Sequence, residues 1–264
     1  MQINFFKTLI SRILLHVVYK YIMKNPSFAY HLANIQEVET ESILKINKIN
    51  PHLEFVNYSY SQNGEDLSLI RQLSNHPIGY YLDVGAHHPF RFSNTALLNS
   101  KGWIGTNIEP NPSSIALFND ARPNDVNICI GLGDSNSFET YYEYKEQALN
   151  TISKERMEKL LNLGISPTSL SKIQVFESKS VLEGLFSPDT YVFNIDVEGL
   201  DFKVIQNLDY ANFYPCYILI ESLTITNFTN ENDFQVPLLR NYITIGLFEN
   251  TLMLKSKDCK HKLF

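Results

Sequence analysis

The 264-residue sequence is short of cysteine. It has three, Cys129, Cys216 and Cys259, far apart and odd in number. They make neither a zinc spacing nor a disulfide framework, which predicts a reducing, cytosolic setting with Cys129 and Cys216 in the core. Basic charge is also scarce. Lys and Arg number 22 against 28 Asp and Glu, a net charge of −6, which argues against nucleic acid as a partner. No apolar run reaches the roughly 20 residues of a spanning helix. The nearest approach, "FFKTLISRILLHVVYKYIMK", is broken by Lys7, Arg12, His16 and Lys20. No small-residue cleavage site follows it, which speaks against a signal peptide. Residues 1–24 therefore carry two readings. One is a helix packed on the body or on a second subunit of a homo-oligomer. The other is a basic amphipathic helix lying peripherally on the anionic inner face of a membrane. Glycine-rich phosphate grips are missing too: Gly85 is followed by Ala86, His87, His88 and Pro89, so neither the dinucleotide fingerprint nor a Walker loop is present.

What is present begins near residue 58. Residues 1–57 read as a helical extension, and 58–264 as one α/β domain. Short runs rich in Val, Ile and Tyr alternate with helix-like stretches: "GYYLDVGA", "WIGTNIEP", "VNICIGLG", "TYVFNIDVEG" and "CYILIES". That alternation predicts βαβ units and a largely parallel sheet. Two more runs, 242–248 and 251–257, are separated only by Glu249 and Asn250, which suits an antiparallel hairpin. The expected fold is a Rossmann-like sheet of seven strands, order 3-2-1-4-5-7-6, with the last strand antiparallel. An insertion is expected around 135–175. In it "FETYYEY" alternates as a strand does, and "SKERMEKLLNLG" reads as a helix capped by Ser153 and stopped by Gly164. Such an insertion lies near the carboxyl ends of the strands, where open α/β sheets bind ligands.

Four runs end in acids: Asp83, Glu109, Asp196 with Glu198, and Glu221. A buried parallel strand tolerates a carboxylate only where it meets water or a ligand. Four such ends describe an acid-rimmed cleft. With no phosphate grip, that cleft suits a ligand with hydroxyls, an amine and a positive centre, and S-adenosylmethionine is one. Class I methyltransferases carry D-x-G-x-G after the first strand and an acid at the end of the second. Asp83-Val84-Gly85 and Glu109, 26 residues apart, stand at those places.

The segments "SQNGEDL" (61–67), "DVGAHHPFRFSNT" (83–95), "GWIGTNIEP" (102–110), "RPNDVNI" (122–128), "ALNTIS" (148–153) and "IDVEGLD" (195–201) resemble, in that order, the FkbM-type methyltransferase family. The resemblance spans roughly residues 60–221 and leaves the first 57 outside. It implies an S-adenosylmethionine-dependent O-methyltransferase whose acceptor is a hydroxyl on a sugar, glycan or glycoconjugate. Asp83, Gly85, Ala86 and His87 then form the cofactor turn, although His87 and Pro89 replace the usual second and third glycines. Glu109 takes the ribose. Gln62, Glu65 and Asp134 are further cofactor candidates. Ser93, Asn94 and Thr95 either hold the methionine end or cap the next helix.

Methyl transfer is an in-line displacement that needs an activated acceptor hydroxyl. Two routes stay open. In one, Mg²⁺ or Mn²⁺ is held by Asp196 and Glu221, with Glu198 or His88. In the other, His88 or a carboxylate is the base. Plainer roles stand beside these. One histidine of the pair can be structural, with His87 the better candidate. Glu198 can complement a helix dipole, and Asp201 reads as a solvent-facing first-turn acid. Asn150 and Thr151 are placed on the acceptor side. Tyr141, Tyr142 and Tyr144 are divided between a sugar-stacking face and the core. A glycosyltransferase and a catalytically silent binding module are the rival readings.

Overall fold

A computed structural model describes residues 57–74, 78–221 and 237–259. The expectations for residues 1–24, and nearly all of those for 1–57, fall outside the described residues. The chain divides into two units, Met1–Tyr60 and Ser61–Phe264, and the second carries all that follows.

Strands β1 (Tyr80–Val84), β2 (Ile104–Ile108) and β3 (Val126–Ile128) form one half of a seven-stranded sheet. Strands β7 (Thr190–Ile195), β8 (Tyr217–Glu221), β9 (Tyr242–Phe248) and β10 (Thr251–Ser256) form the other half. The order is β3-β2-β1-β7-β8-β10-β9. β4 (Gly131–Gly133), β5 (Ser137–Glu143) and β6 (Ser169–Glu177) build a separate three-stranded sheet. Over all ten labels the order differs from the expected one; counted within the main sheet alone it is 3-2-1-4-5-7-6. β10 runs antiparallel to both β8 and β9, and the turn between β9 and β10 is the two residues Glu249 and Asn250.

Period-2 alternation explains why these runs form the sheet. Along β8, Tyr217 and Leu219 enter one apolar cluster while Ile218 and Ile220 enter the other. β7 does the same with Val192 against Phe193 and Ile195, and β10 with Met253 against Leu252 and Leu254. Both faces are covered, as a parallel sheet requires. The helices are short: α1 (Glu65–Gln72), α2 (Ala96–Ser100), α3 (Pro112–Ala121), α4 (Lys154–Asn162), α5 (Ser178–Leu185) and α6 (Asp201–Ile205). α3 starts as its sequence dictates, with Pro112 in the first turn and the Asn111 side chain accepting from Ser113 N at 2.9 Å. α4 keeps the expected Ser153 cap, its side chain accepting from Arg156 N at 3.2 Å, and Gly164 follows with φ 79°.

Three expectations need correction. "VNICIGLG" is not one strand. β3 pairs with β2 in the main sheet, and β4 leaves it to pair with β6. The residues between them are apolar enough for one run, but the chain changes sheets there. Second, Cys216 and Cys259 form a disulfide, with Cα atoms 5.0 Å apart. Cys216 precedes β8 and Cys259 follows β10; antiparallel neighbours bring these ends together across 43 residues of sequence. Third, Cys129 is exposed rather than core, its Sγ 3.5 Å from the Pro110 carbonyl.

Candidate active site

On one face of the sheet the register places Asn107, Asp83 and Asn194 side by side on β2, β1 and β7. Asp83 is fully buried. Its Oδ1 accepts from Asn194 Nδ2 at 2.9 Å and its Oδ2 from Thr95 Oγ1 at 2.5 Å. Burial raises the Asp83 pKa, while these two hydrogen bonds and the charge of Arg122 pull it back. Arg122 is itself buried behind the turn. It donates to Thr95 Oγ1 at 2.9 Å, to Ser93 Oγ at 3.0 Å and to the Pro89 carbonyl. One guanidinium thus ties the start of α2 and the loop after β1 to the sheet, as its planar fork of donors permits.

The turn after β1 is built for close approach. Gly85 has φ 74°, and a Cβ placed on it would lie 1.7 Å from the Asp196 carbonyl oxygen. Gly85 N and Ala86 N both donate to Ile108 O. His87 follows with φ 55°, and its N–H donates to Glu109 Oε2 at 3.0 Å. Glu109 Oε1 accepts from Asn111 N at 2.9 Å and from Tyr141 OH at 3.4 Å. Glu109 is buried, and burial raises its pKa while the two backbone donors lower it.

A cavity opens at this edge of the sheet. Gln62, Glu65, Asp83, Gly85, Ala86 and His87 line it, and so do Ser93, Asn94 and Glu109. The insertion supplies a further wall, with Tyr141 from β5 and the segment around Gln147, Asn150 and Thr151. A further part of the lining is acidic. Asp196, Glu198 and Glu221 each offer a carboxylate oxygen, and these oxygens lie within 4.8 Å of one another. Asp196 Oδ1 and Glu221 Oε2 are buried and receive no N–H or O–H from the described residues. Burial raises Asp196 well above the usual carboxylate range, and Glu221 adds to that. Burial likewise pushes Glu221 up to about 7 and Glu198 up to about 8, the latter reinforced by Asp196.

Glu198 sits at φ 50° in the loop before α6. The insertion holds it twice. Thr151 Oγ1 donates to its carbonyl at 3.1 Å, and Arg156 Nη2 and Nε reach its Oε2 at 3.0 and 3.1 Å. Its partner is therefore a side chain from the insertion and not the helix that follows. Asp201 is buried rather than solvent-facing. It accepts from Val197 N at 2.9 Å and from Gly199 N at 3.3 Å, closing the same loop.

Other candidates do not meet the cavity. His88, expected as base or metal ligand, is turned into the backbone: its Nδ1 accepts from Phe90 N and Arg91 N, each at 3.0 Å. An imidazole nitrogen engaged that way is a turn cap, so His88 leaves both lists. The roles within the pair are the reverse of the simpler reading. His87 faces the cavity, with Nε2 buried and without a partner among the described residues, and burial lowers its pKa to about 4. Asp134 lies in a different hollow with Ser137, Lys154 and Lys203. It does not line the cavity described above. Thr95 supports Asp83 from behind and lines nothing. Of the three tyrosines, Tyr141 lines the cavity and Tyr144 is buried away from it. Sequence reasoning missed Arg122, Asn194 and Arg156. Asn194 had a signal, being two residues before Asp196 on an alternating strand.

The acidic wall has a consequence for stability. In the folded state Asp196, Glu221 and Asp201 keep protons that the unfolded chain sheds near pH 4, Asp201 being raised by burial to about 7. Where the folded state binds more protons, stability falls as pH rises. His87 and His88, with lowered pKa values, act in the opposite sense below about pH 6.5. In chelator the thermal midpoint is therefore expected to drop between about pH 6.5 and 8.5, and Glu221→Gln should flatten the slope. A midpoint that rises over that window would contradict the burial of these carboxyls.

Among the described residues no helix is long and apolar enough to cross a membrane. No curated relative and no solved structure matches the chain. The family described as the methyltransferase FkbM domain matches residues 83–250, from the acid of the first turn to the β9–β10 hairpin. That match covers more than half of the 264 residues and takes in both the Gly85 turn and the acidic wall: the chain belongs to the FkbM methyltransferase family.

Proposed function

We propose that the protein is an S-adenosylmethionine-dependent O-methyltransferase acting on a hydroxyl of a sugar or glycan. One observation carries the reading. The Gly85 turn, a ribose-type acid, Glu109, and the Asp196–Glu198–Glu221 cluster line one cavity. Membership in a methyltransferase family favours methyl transfer over the glycosyltransferase reading.

The residues fit the cofactor. Gly85 and Ala86 allow backbone approach, Asn94 and Ser93 offer neutral hydrogen-bonding groups at the methionine end, and Glu109 accepts from hydroxyls. S-adenosylmethionine supplies a methyl group already activated by its sulfonium. The residues also fit a divalent cation, because two buried carboxylate oxygens lack donors among the described residues. Mg²⁺ or Mn²⁺ would be held by Asp196 and Glu221, with Glu198 as third ligand, and supplies Lewis acidity toward a bound hydroxyl. A second reading needs no metal. Glu221, pushed up to about 7, is poised near neutral pH to take the hydroxyl proton on Oε2. Either way the chain's part is to orient the acceptor and to keep the proton acceptor dry.

The test is cofactor binding by calorimetry. Glu109→Ala is expected to weaken S-adenosylmethionine by ~1.5–3 kcal/mol, the loss of a hydrogen bond to a charged group. It also strands the His87 and Asn111 donors, so Glu109→Gln, which keeps an acceptor, should lose less. Unchanged affinity in a folded Glu109→Ala protein would remove Glu109 from the site. Cofactor binding with no S-adenosylhomocysteine formed on any sugar acceptor would favour the silent module.

A further inference from the structure

Among the described residues, every charged side chain lining the cavity is a carboxylate: Glu65, Asp83, Glu109, Asp196, Glu198 and Glu221. No Lys or Arg joins them. Three arginines come close, and each is committed. Arg91 pairs with both oxygens of Glu146 at 2.7 and 2.9 Å. Arg122 is buried behind the turn on Ser93, Thr95 and the Pro89 carbonyl. Arg156 is held by Glu198. The uncharged lining, Gln62 and Gln147 at the rim with Asn150 and Thr151, offers hydrogen bonds suited to hydroxyls.

We propose that the acceptor is a hydroxyl compound that is neutral or carries an amine, and that the cavity rejects acceptors bearing carboxylate, phosphate or sulfate. The inference rests on reading this cavity as the methyl-transfer site. An anion entering it loses water and meets acidic side chains, with no Lys or Arg among the described lining residues to pair with it. S-adenosylmethionine, with sulfonium and ammonium against one carboxylate, is net positive and suits the same walls. An amine on the acceptor gains from them as well.

Three matched probes isolate the charge: methyl glucoside, its 2-amino analogue and its glucuronide. Binding to the full chain, saturated with S-adenosylhomocysteine, is measured by saturation-transfer NMR titration in chelator. The neutral and amino probes are expected to bind, with the glucuronide at least about tenfold weaker. Gln147→Lys, a change at an exposed rim position, is expected to narrow that gap by strengthening glucuronide binding alone. Glucuronide binding equal to the neutral probe overturns the inference, and so does a gap that Gln147→Lys leaves untouched. If S-adenosylhomocysteine binds and none of the three probes does, the sugar-acceptor reading itself fails, an outcome distinct from loss of charge selection.

Discussion

Asp196→Asn is expected to lower turnover by about 10²–10⁴-fold, the range for losing a positioned acid–base group, while cofactor affinity changes little. The asymmetry follows from position. Asp196 ends β7, and its backbone N–H continues the β1–β7 ladder by donating to Val84 O at 2.9 Å. The side chain makes no structural bond to the turn that would hold cofactor; its carboxyl group clusters with those of Glu221 and Glu198. Asparagine keeps the shape and removes the ionisable group. What it takes away therefore acts on the acceptor hydroxyl as its proton leaves, which raises the barrier without weakening the ground state. S-adenosylhomocysteine release with a sugar acceptor, alongside calorimetric cofactor affinity, measures the split. Equal losses in both would place Asp196 in the cofactor site. Adding chelator separates the two routes. Activity that collapses in chelator and returns with Mg²⁺ or Mn²⁺ supports the cation. Full activity in excess chelator leaves the Asp196–Glu221 pair as the base, and Glu221→Gln becomes the decisive variant.

Gly85→Ala is expected to be the most damaging single change to stability. A left-handed backbone costs an alanine about 1–2 kcal/mol, and overpacking adds about 1–3 kcal/mol. The added Cβ meets the Asp196 carbonyl oxygen, which is backbone and cannot swing aside. Relief would have to part β1 from β7 where both turn into the cavity. A total loss of roughly 2–5 kcal/mol in urea unfolding is expected, with cofactor binding lost in any protein that remains folded. Gly164→Ala is the control. It shares the positive φ, at 79°, yet a Cβ there meets nothing within 4 Å. It should cost only the backbone share, about 1–2 kcal/mol. Similar losses for the two variants would show that the contact with Asp196 is not what makes Gly85 necessary.

The acids at the strand ends were legible because burial leaves them few explanations. "YYLDV" and "YILIE" are too apolar to carry a carboxylate at or next to their ends by chance, and in the fold both acids reach the cavity. The β9–β10 hairpin was legible from two alternating runs and a two-residue gap. The Ser153 cap and Gly164 stop of α4 were legible from local chemistry alone. Each of these signals acts over one strand or one helical turn, so a sequence window contains it.

Which of two adjacent histidines faces the ligand was not. His87 takes a left-handed φ, which turns it inward, while His88 Nδ1 is captured by Phe90 N and Arg91 N. Arg122, more than thirty residues on, holds the Pro89 carbonyl of the same loop. Nor could sequence show that Arg156 of the insertion neutralises Glu198, or that Cys216 meets Cys259. The sequence by itself determined most strands of the main sheet, their apolar faces, the acids at the strand ends and the family resemblance, because these follow from local periodicity and desolvation. The tertiary structure alone decided which side chains share the cavity and which charges are already paired. Those pairings join residues far apart in the chain, and only the packing of the insertion against the sheet brings them within a hydrogen bond of one another.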